Sequence, residues 1–121
     1  MSLKPSGEMY LETIYVLSLK KDIVRSVDIA DYMNFTKPSV SRAVNRLKED
    51  NYIIINENGH IKLTDSGLLI AQKIYERHTV LTNVLIRLGV TEKTALEDAC
   101  KIEHIISEET FKALKKHIEA R

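Results

Sequence analysis

A mainly α chain with one small β-hairpin is what this sequence predicts, and three observations predict it. Apolar residues recur at helical spacing along most of the 121 residues, beginning with Tyr10, Ile14 and Leu17. One β-branched run, Tyr52-Ile53-Ile54-Ile55-Asn56, is followed by Asn58-Gly59 and then by the alternating His60-Ile61-Lys62-Leu63, the pattern of two strands joined by a tight type I′ turn. Beyond the hairpin, Ala71, Ile74, His78, Leu81, Leu85 and Leu88 form one apolar stripe. It is longer than the preceding lobe can cover, so a second helical lobe is expected. The division falls at about residue 70, giving lobes 1–70 and 71–121.

The bulk composition narrows the function classes. Hydrophobic residues make up 44% and Gly and Pro are sparse, so a core can form. The formal net charge is only +1, and any nucleic-acid role must come from local charge. One cysteine excludes an intrachain disulfide and suits a reducing compartment. Met1 to Gly7 is polar and Glu8 interrupts the apolar residues after it, so no signal peptide is expected. No apolar run approaches the roughly 20 residues of a membrane span. The expectation is a soluble, cytoplasmic protein with no membrane partner. No Gly-rich phosphate loop or nucleophile–base signature is present, so neither an enzyme nor a small-molecule substrate is expected.

Taken in order, Ser6 is the expected cap of a first helix, with Met9 and Glu12 one turn apart near its start. Ser26 caps a short second helix, with Val27, Ala30 and Met33 inward. Asn34-Phe35-Thr36 is a turn, Lys37 a cap and Pro38 the first residue of a third helix. Val40, Ala43, Val44 and Leu47 form its buried stripe, while Ser41, Arg42 and Asn45 lie opposite, flanked by Ser39, Arg46 and Lys48. Two short helices around a tight turn, followed directly by a hairpin, predict a winged helix-turn-helix. The third helix would then read DNA. Ser39, Ser41, Arg42 and Asn45 approach base edges, and Lys37, Arg46 and Lys48 meet phosphates, with Pro38 at the helix start.

Thr64 caps the long fourth helix and Gly89 ends it. Thr91 caps a fifth and Ser107 a sixth, whose apolar face is Phe111, Leu114 and Ile118. On the fifth helix Cys100, Glu103 and His104 stand at i, i+3 and i+4, and therefore on one face. A thiolate, a carboxylate and an imidazole together suit a transition metal. Leu96, Cys100 and Glu103 also fall on a core-facing stripe. A carboxylate there is costly unless paired or bound to a cation. An alternative is a winged-helix regulator that senses thiol oxidation at Cys100. Burial of that thiol and the lack of a resolving cysteine argue against it.

The chain resembles the diphtheria-toxin-repressor family of metal-dependent transcriptional regulators. The resemblance rests on Glu8-Met9-Tyr10-Leu11-Glu12, Pro38-Ser39-Val40-Ser41, the Asn58-Gly59 wing, Leu63-Thr64, Arg77-His78, and Cys100 with Glu103-His104. It implies a winged helix-turn-helix followed by a helical dimerisation lobe with metal between them, acting as a homodimer on double-stranded operator DNA, with repression the family's habit. Residue by residue, it implies Met9, His78, Cys100, Glu103 and His104 as ligands in the iron-sensing manner, with Glu12 matching a carboxylate of the manganese-sensing branch. Ferrous iron or manganese is thus the implied effector, and metal-homeostasis genes the implied targets. Thr82 and Leu96 occupy places that carry ancillary ligands in iron sensors and cannot serve as such. Glu57 places a negative charge in the wing, which opposes the phosphate contact usual there. The implied plan is the short, two-domain one without the C-terminal SH3-like domain.

Overall fold

A computed structural model describes residues 3–120. The element order is α1 (Pro5–Lys20), α2 (Ser26–Met33), α3 (Lys37–Glu49), β1 (Ile53–Ile55), β2 (Ile61–Leu63), α4 (Asp65–Arg87), α5 (Glu92–Ile102) and α6 (Glu108–Glu119). This is the mainly α winged helix-turn-helix plus helical lobe that the sequence predicts. The chain forms two compact units whose boundary lies within α4, between Gln72 and Lys73.

The first unit packs α1, α2, α3 and the hairpin around Leu11, Ile14, Ile29, Val40, Val44 and Ile53, all essentially buried. Three helix starts differ from expectation, α1 by two residues and α2 and α3 by one. Pro5, with its φ preset for a helix, opens α1 ahead of Ser6. Arg25, not Ser26, is the N-cap residue of α2. Its N–H donates to Asp28 Oδ2 at 2.8 Å, and Lys21 Nζ donates to Asp28 Oδ1 at 2.6 Å. An arginine side chain cannot accept a hydrogen bond, so only the returning half of a capping box forms. Val27 is exposed, and Ile29 and Ala30 fill the core from α2. Thr36, not Lys37, caps α3 by accepting from the Ser39 N–H at 3.3 Å, which places Pro38 in the first turn. Asn34, left-handed at φ 57, ends α2 and turns the chain into α3. Tyr10 and Phe35 pack ring to ring at 6.1 Å beside that turn.

In the hairpin, Ile53 pairs with Leu63, Ile54 with Lys62 and Ile55 with Ile61. The loop is longer than the expected two-residue type I′ turn. Asn56 N–H bonds to His60 O and Gly59 N–H to Asn56 O, both at 3.0 Å, and Gly59 has φ 79 while Asn58 stays out of the left-handed region. This is a three-residue loop closed by a left-handed glycine. Asn56 Oδ1 selects it by accepting from both Asn58 N–H and His60 N–H, at 2.8 and 2.9 Å. On its other side β2 meets the α1–α2 connection, through Ile61 N–H to Val24 O at 2.8 Å.

The second unit consists of the remainder of α4 with α5 and α6 around Ile74, Leu81, Ala95, Ala99 and Phe111. α6 runs beside α4 in the same sense. Glu76 pairs with Lys115 at 2.7 Å, and further along Arg87 donates to Ile118 O at 3.4 Å. The stripe along α4 loses burial towards its end. Leu81 is buried, Leu85 is half-buried and Leu88 is 75% exposed. No helix of the described residues is long and apolar enough to cross a membrane.

Candidate functional site

α4 and the end of α5 bring three of the predicted metal ligands together. His78, half-buried on α4, has Nδ1 2.9 Å from Glu103 Oε1. Glu103 is fully buried, and its second oxygen, Oε2, has no hydrogen-bond partner among the described residues. His104 Nε2 stands 3.8 Å from that oxygen, beyond hydrogen-bonding range. A buried carboxylate oxygen left unsatisfied is costly, and native structures keep such atoms mainly where something else binds. Two imidazoles around it make a donor set that fits a divalent transition metal. The residues present therefore fit the metal that the family resemblance implies.

The local backbone explains how the carboxylate and imidazole are presented. α5, capped by Thr91, ends at Ile102, and Glu103 is its C-cap residue, still in the right-handed region. His104 lies in the turn beyond, rather than on the helix as its spacing suggests. Arg77, the neighbour of His78, donates from Nη1 to Glu103 O at 3.2 Å and to Ile106 O at 2.9 Å. Its Nη2 lies 3.4 Å from Glu108 Oε2, and its guanidinium stacks 5.4 Å from the Phe111 ring centre. Sequence reasoning gave Arg77 no structural role. An arginine on a long amphipathic helix reads as solvated, and only its position beside His78 hinted otherwise.

Cys100 is exposed, not buried as the stripe predicts. The inward face of α5 is Ala95, Ala99 and Glu103, which keeps Glu103 of the expected stripe and takes Ala95 and Ala99 in place of Leu96 and Cys100. Small alanines suit close helix packing, and Leu96 is left 41% exposed. Burial therefore cannot be the reason for the thiol to resist oxidation. Met9 and Glu12 are half-buried on α1 in the first unit, where the Met9 carbonyl accepts from Thr13 Oγ1 at 2.9 Å. Thr82 is buried and donates to His78 O at 2.7 Å, tying down the backbone of the ligand helix.

The predicted DNA face is laid out along α3. Lys37, Pro38, Ser41, Arg42, Asn45, Arg46 and Lys48 are exposed, and Ser39 is half-buried. Thr36 Oγ1 donates to Ser39 Oγ at 2.9 Å, and Arg42 Nη2 donates to the same atom at 3.4 Å. Thr36 thus orients two of the expected contacts while capping the helix. The first turn of α3 carries no acidic residue and its last turn carries Arg46 and Lys48. Arg46 also lines a cavity of about 250 Å³ with Lys4, Gly7 and Tyr10 of the α1 start. Burial raises the pKa of the Tyr10 hydroxyl, against a smaller pull towards ionisation from Arg42.

Comparison with known proteins shows the family and its two domains. Residues 2–61 match the "Iron dependent repressor, N-terminal DNA binding domain" family and residues 64–120 match "Iron dependent repressor, metal binding and dimerisation domain". The HTH-type transcriptional regulator MntR of Geobacillus kaustophilus is 35% identical over 103 residues, covering 85% of this chain and 73% of the relative. An HTH-type transcriptional regulator of Methanocaldococcus jannaschii is 32% identical over 115 residues, covering 93% of this chain and 92% of the relative. Among solved structures, the manganese regulator SloR superposes with a TM-score of 0.85 at 26% identity. That match covers all of this chain but 56% of SloR. Matched from its DNA-binding half through its metal-binding and dimerisation half, the chain belongs to the iron-dependent, or diphtheria-toxin-repressor, family of metal-dependent transcriptional regulators.

Proposed function

We propose that this protein is a metal-activated transcriptional repressor that senses ferrous iron or manganese and controls metal-homeostasis genes from the cytoplasm. The observation that carries the reading is Glu103: fully buried, with Oε1 on His78 and Oε2 without a hydrogen-bond partner among the described residues. A buried carboxylate so placed is suited to a cation. The ligand set is Met9, Glu12, His78, Cys100, Glu103 and His104. Met9 and Cys100 favour iron and Glu12 favours manganese by ligand hardness. When bound, the metal would supply positive charge to the carboxylates of that set.

The chain's own residues do the rest. His78 and Glu103 hold one another before loading. Thr82 and Arg77 fix the backbones that carry them. On α3, Ser39, Ser41, Arg42 and Asn45 face base edges, and Lys37, Arg46 and Lys48 face phosphates. Two copies are needed to present two such helices to a palindromic operator. The match to a dimerisation domain and the exposure of Leu88, Leu96 and Ile105 on the second unit support a homodimer.

The deciding experiment is selection of operator sequences by the purified protein under anaerobic conditions, with ferrous iron, with manganese and with a chelator. Enrichment of one palindromic sequence only when metal is present is the expected result. Enrichment that ignores the chelator would remove the metal from the reading.

A further inference from the structure

We infer that Arg77 is a positioning residue for the metal centre, holding the turn that presents Glu103 and His104. The inference rests on the metal-sensing reading above and adds to it a residue that binds no metal.

Glu103 is held at both ends by neighbouring residues of α4. Its carboxylate meets His78 Nδ1 at 2.9 Å, and its carbonyl accepts from Arg77 Nη1 at 3.2 Å. The same Nη1 donates to Ile106 O at 2.9 Å, so one nitrogen spans the segment that contains His104. The Glu103 carbonyl stands at the C-cap of α5, where a helix leaves its acceptors unpaired and its dipole favours a cation. The guanidinium is anchored beyond the turn by Glu108 at 3.4 Å and by the Phe111 ring at 5.4 Å. Both belong to the start of α6. Its side chain is only 17% exposed, so these bonds form with little competition from water.

The consequence concerns loading. Were a metal to take His78 Nδ1 or Glu103 Oε1, the 2.9 Å bond between them would no longer fix Glu103. The bonds from Arg77 use the backbone of Glu103 and leave its carboxylate unoccupied. They can persist in both states and keep the ligand turn in place. A lysine could supply the charge but not the planar fork that reaches the carbonyls and Glu108 together.

The test is manganese(II) titration of the full-length protein, following unbound manganese by its EPR signal, with the melting temperature of the metal-free protein measured alongside. The variants are Arg77→Ala, Arg77→Lys and, as a control, Arg87→Ala. Arg87 lies on the same helix and bonds an α6 carbonyl, Ile118 O, at 3.4 Å, away from the ligands. Arg77→Ala should weaken manganese binding about 10- to 100-fold, the usual effect of losing a group that orients a ligand. Arg77→Lys should fall between it and the wild type, and Arg87→Ala should bind as the wild type does. Unchanged affinity in Arg77→Ala would overturn the inference. Equal losses in the two alanine variants would also overturn it, since that marks general loosening. If Arg77→Ala does not fold, Arg77→Lys decides: wild-type affinity there overturns the inference. A wild-type protein that binds no manganese or ferrous iron would instead remove the metal-sensing reading itself, and this inference with it.

Discussion

Glu103 is where residue chemistry and function meet most directly. Its charge is needed only if a cation arrives, so replacing it by the neutral isostere should separate folding from sensing. Glu103→Gln should keep the helical lobe folded and lose metal affinity by at least about tenfold, equivalent to roughly 1.4 kcal/mol. His78→Ala should do the same. Calorimetric titration together with a thermal melt checks both, and a Gln variant that binds metal like the wild type would remove Glu103 from the ligand set. On α3, Arg42→Ala should cost about 1–3 kcal/mol on the selected operator and relax its preference at one position. Lys48→Ala should weaken all sequences alike. An Arg42→Ala variant with an unchanged operator profile would show that another face of α3 reads the bases. Glu103 was legible in the sequence because a carboxylate on an apolar stripe demands an explanation. The exposure of Cys100 was not, because alanines and leucines on adjacent stripes give periodicity two nearly equal solutions. Only packing showed that Ala95 and Ala99 face inward.

At the scale of elements, the junction between hairpin and α4 is closely packed. Thr64 N–H bonds to Tyr52 O at 3.0 Å, and Thr64 Oγ1 donates to Asn51 O at 2.8 Å. Gly67 passes so close that an added Cβ would lie 2.0 Å from Tyr52 O. Backbone cannot yield as a flexible side chain does, so Gly67→Ala should destabilise the fold by about 1–3 kcal/mol. Chemical denaturation measures that, and a stability within error of wild type would mean that α4 is free to shift. The second element-level prediction concerns the start of α2. The hydrogen bond from Lys21 is the largest cause that lowers the Asp28 pKa, followed in that direction by the Arg25 N–H. A depressed carboxylate contributes stability above its unfolded value. That contribution is lost as pH falls through the lower, folded value. Asp28→Asn should therefore cost on the order of 0.5 kcal/mol at neutral pH and nothing once the wild-type carboxylate is protonated, the surface position keeping the effect small. Parallel denaturation curves from neutral to acid pH decide it, and a constant difference would assign Asp28 a role other than charge. All six helices and both strands were legible from period and turn residues. Their first residues were less so, because Pro5, Thr36 and Asn56 compete with neighbours that cap or turn almost as well. A carboxylate, a hydroxyl or an amide chooses between such options by reaching particular N–H groups, and sequence spacing does not reveal which ones.

The whole molecule must connect loading to DNA affinity, and linkage sets what that connection can be. Metal can favour the DNA-competent arrangement only by binding it more tightly than the alternatives. A coupling of about 1–3 kcal/mol would be ordinary for such a regulator. Reciprocity then requires operator DNA to tighten metal binding by the same factor. Met9 offers a way to separate metal choice from coupling. Met9→Asp replaces a soft thioether by a hard carboxylate on α1, so preference should move from ferrous iron towards manganese. The coupling to DNA should survive, because the substitution changes the hardness of the side chain and not its place on α1. The measurement is an anaerobic titration of labelled operator with each metal, for wild type, Met9→Asp and His78→Ala. It is paired with metal titrations in the presence and absence of operator. Wild type and Met9→Asp should each bind operator more tightly with metal, with the preference of Met9→Asp displaced towards manganese, and His78→Ala should bind it weakly whatever is added. Equal operator affinity with chelator and with saturating metal would falsify the switch, however tightly the metal itself is held.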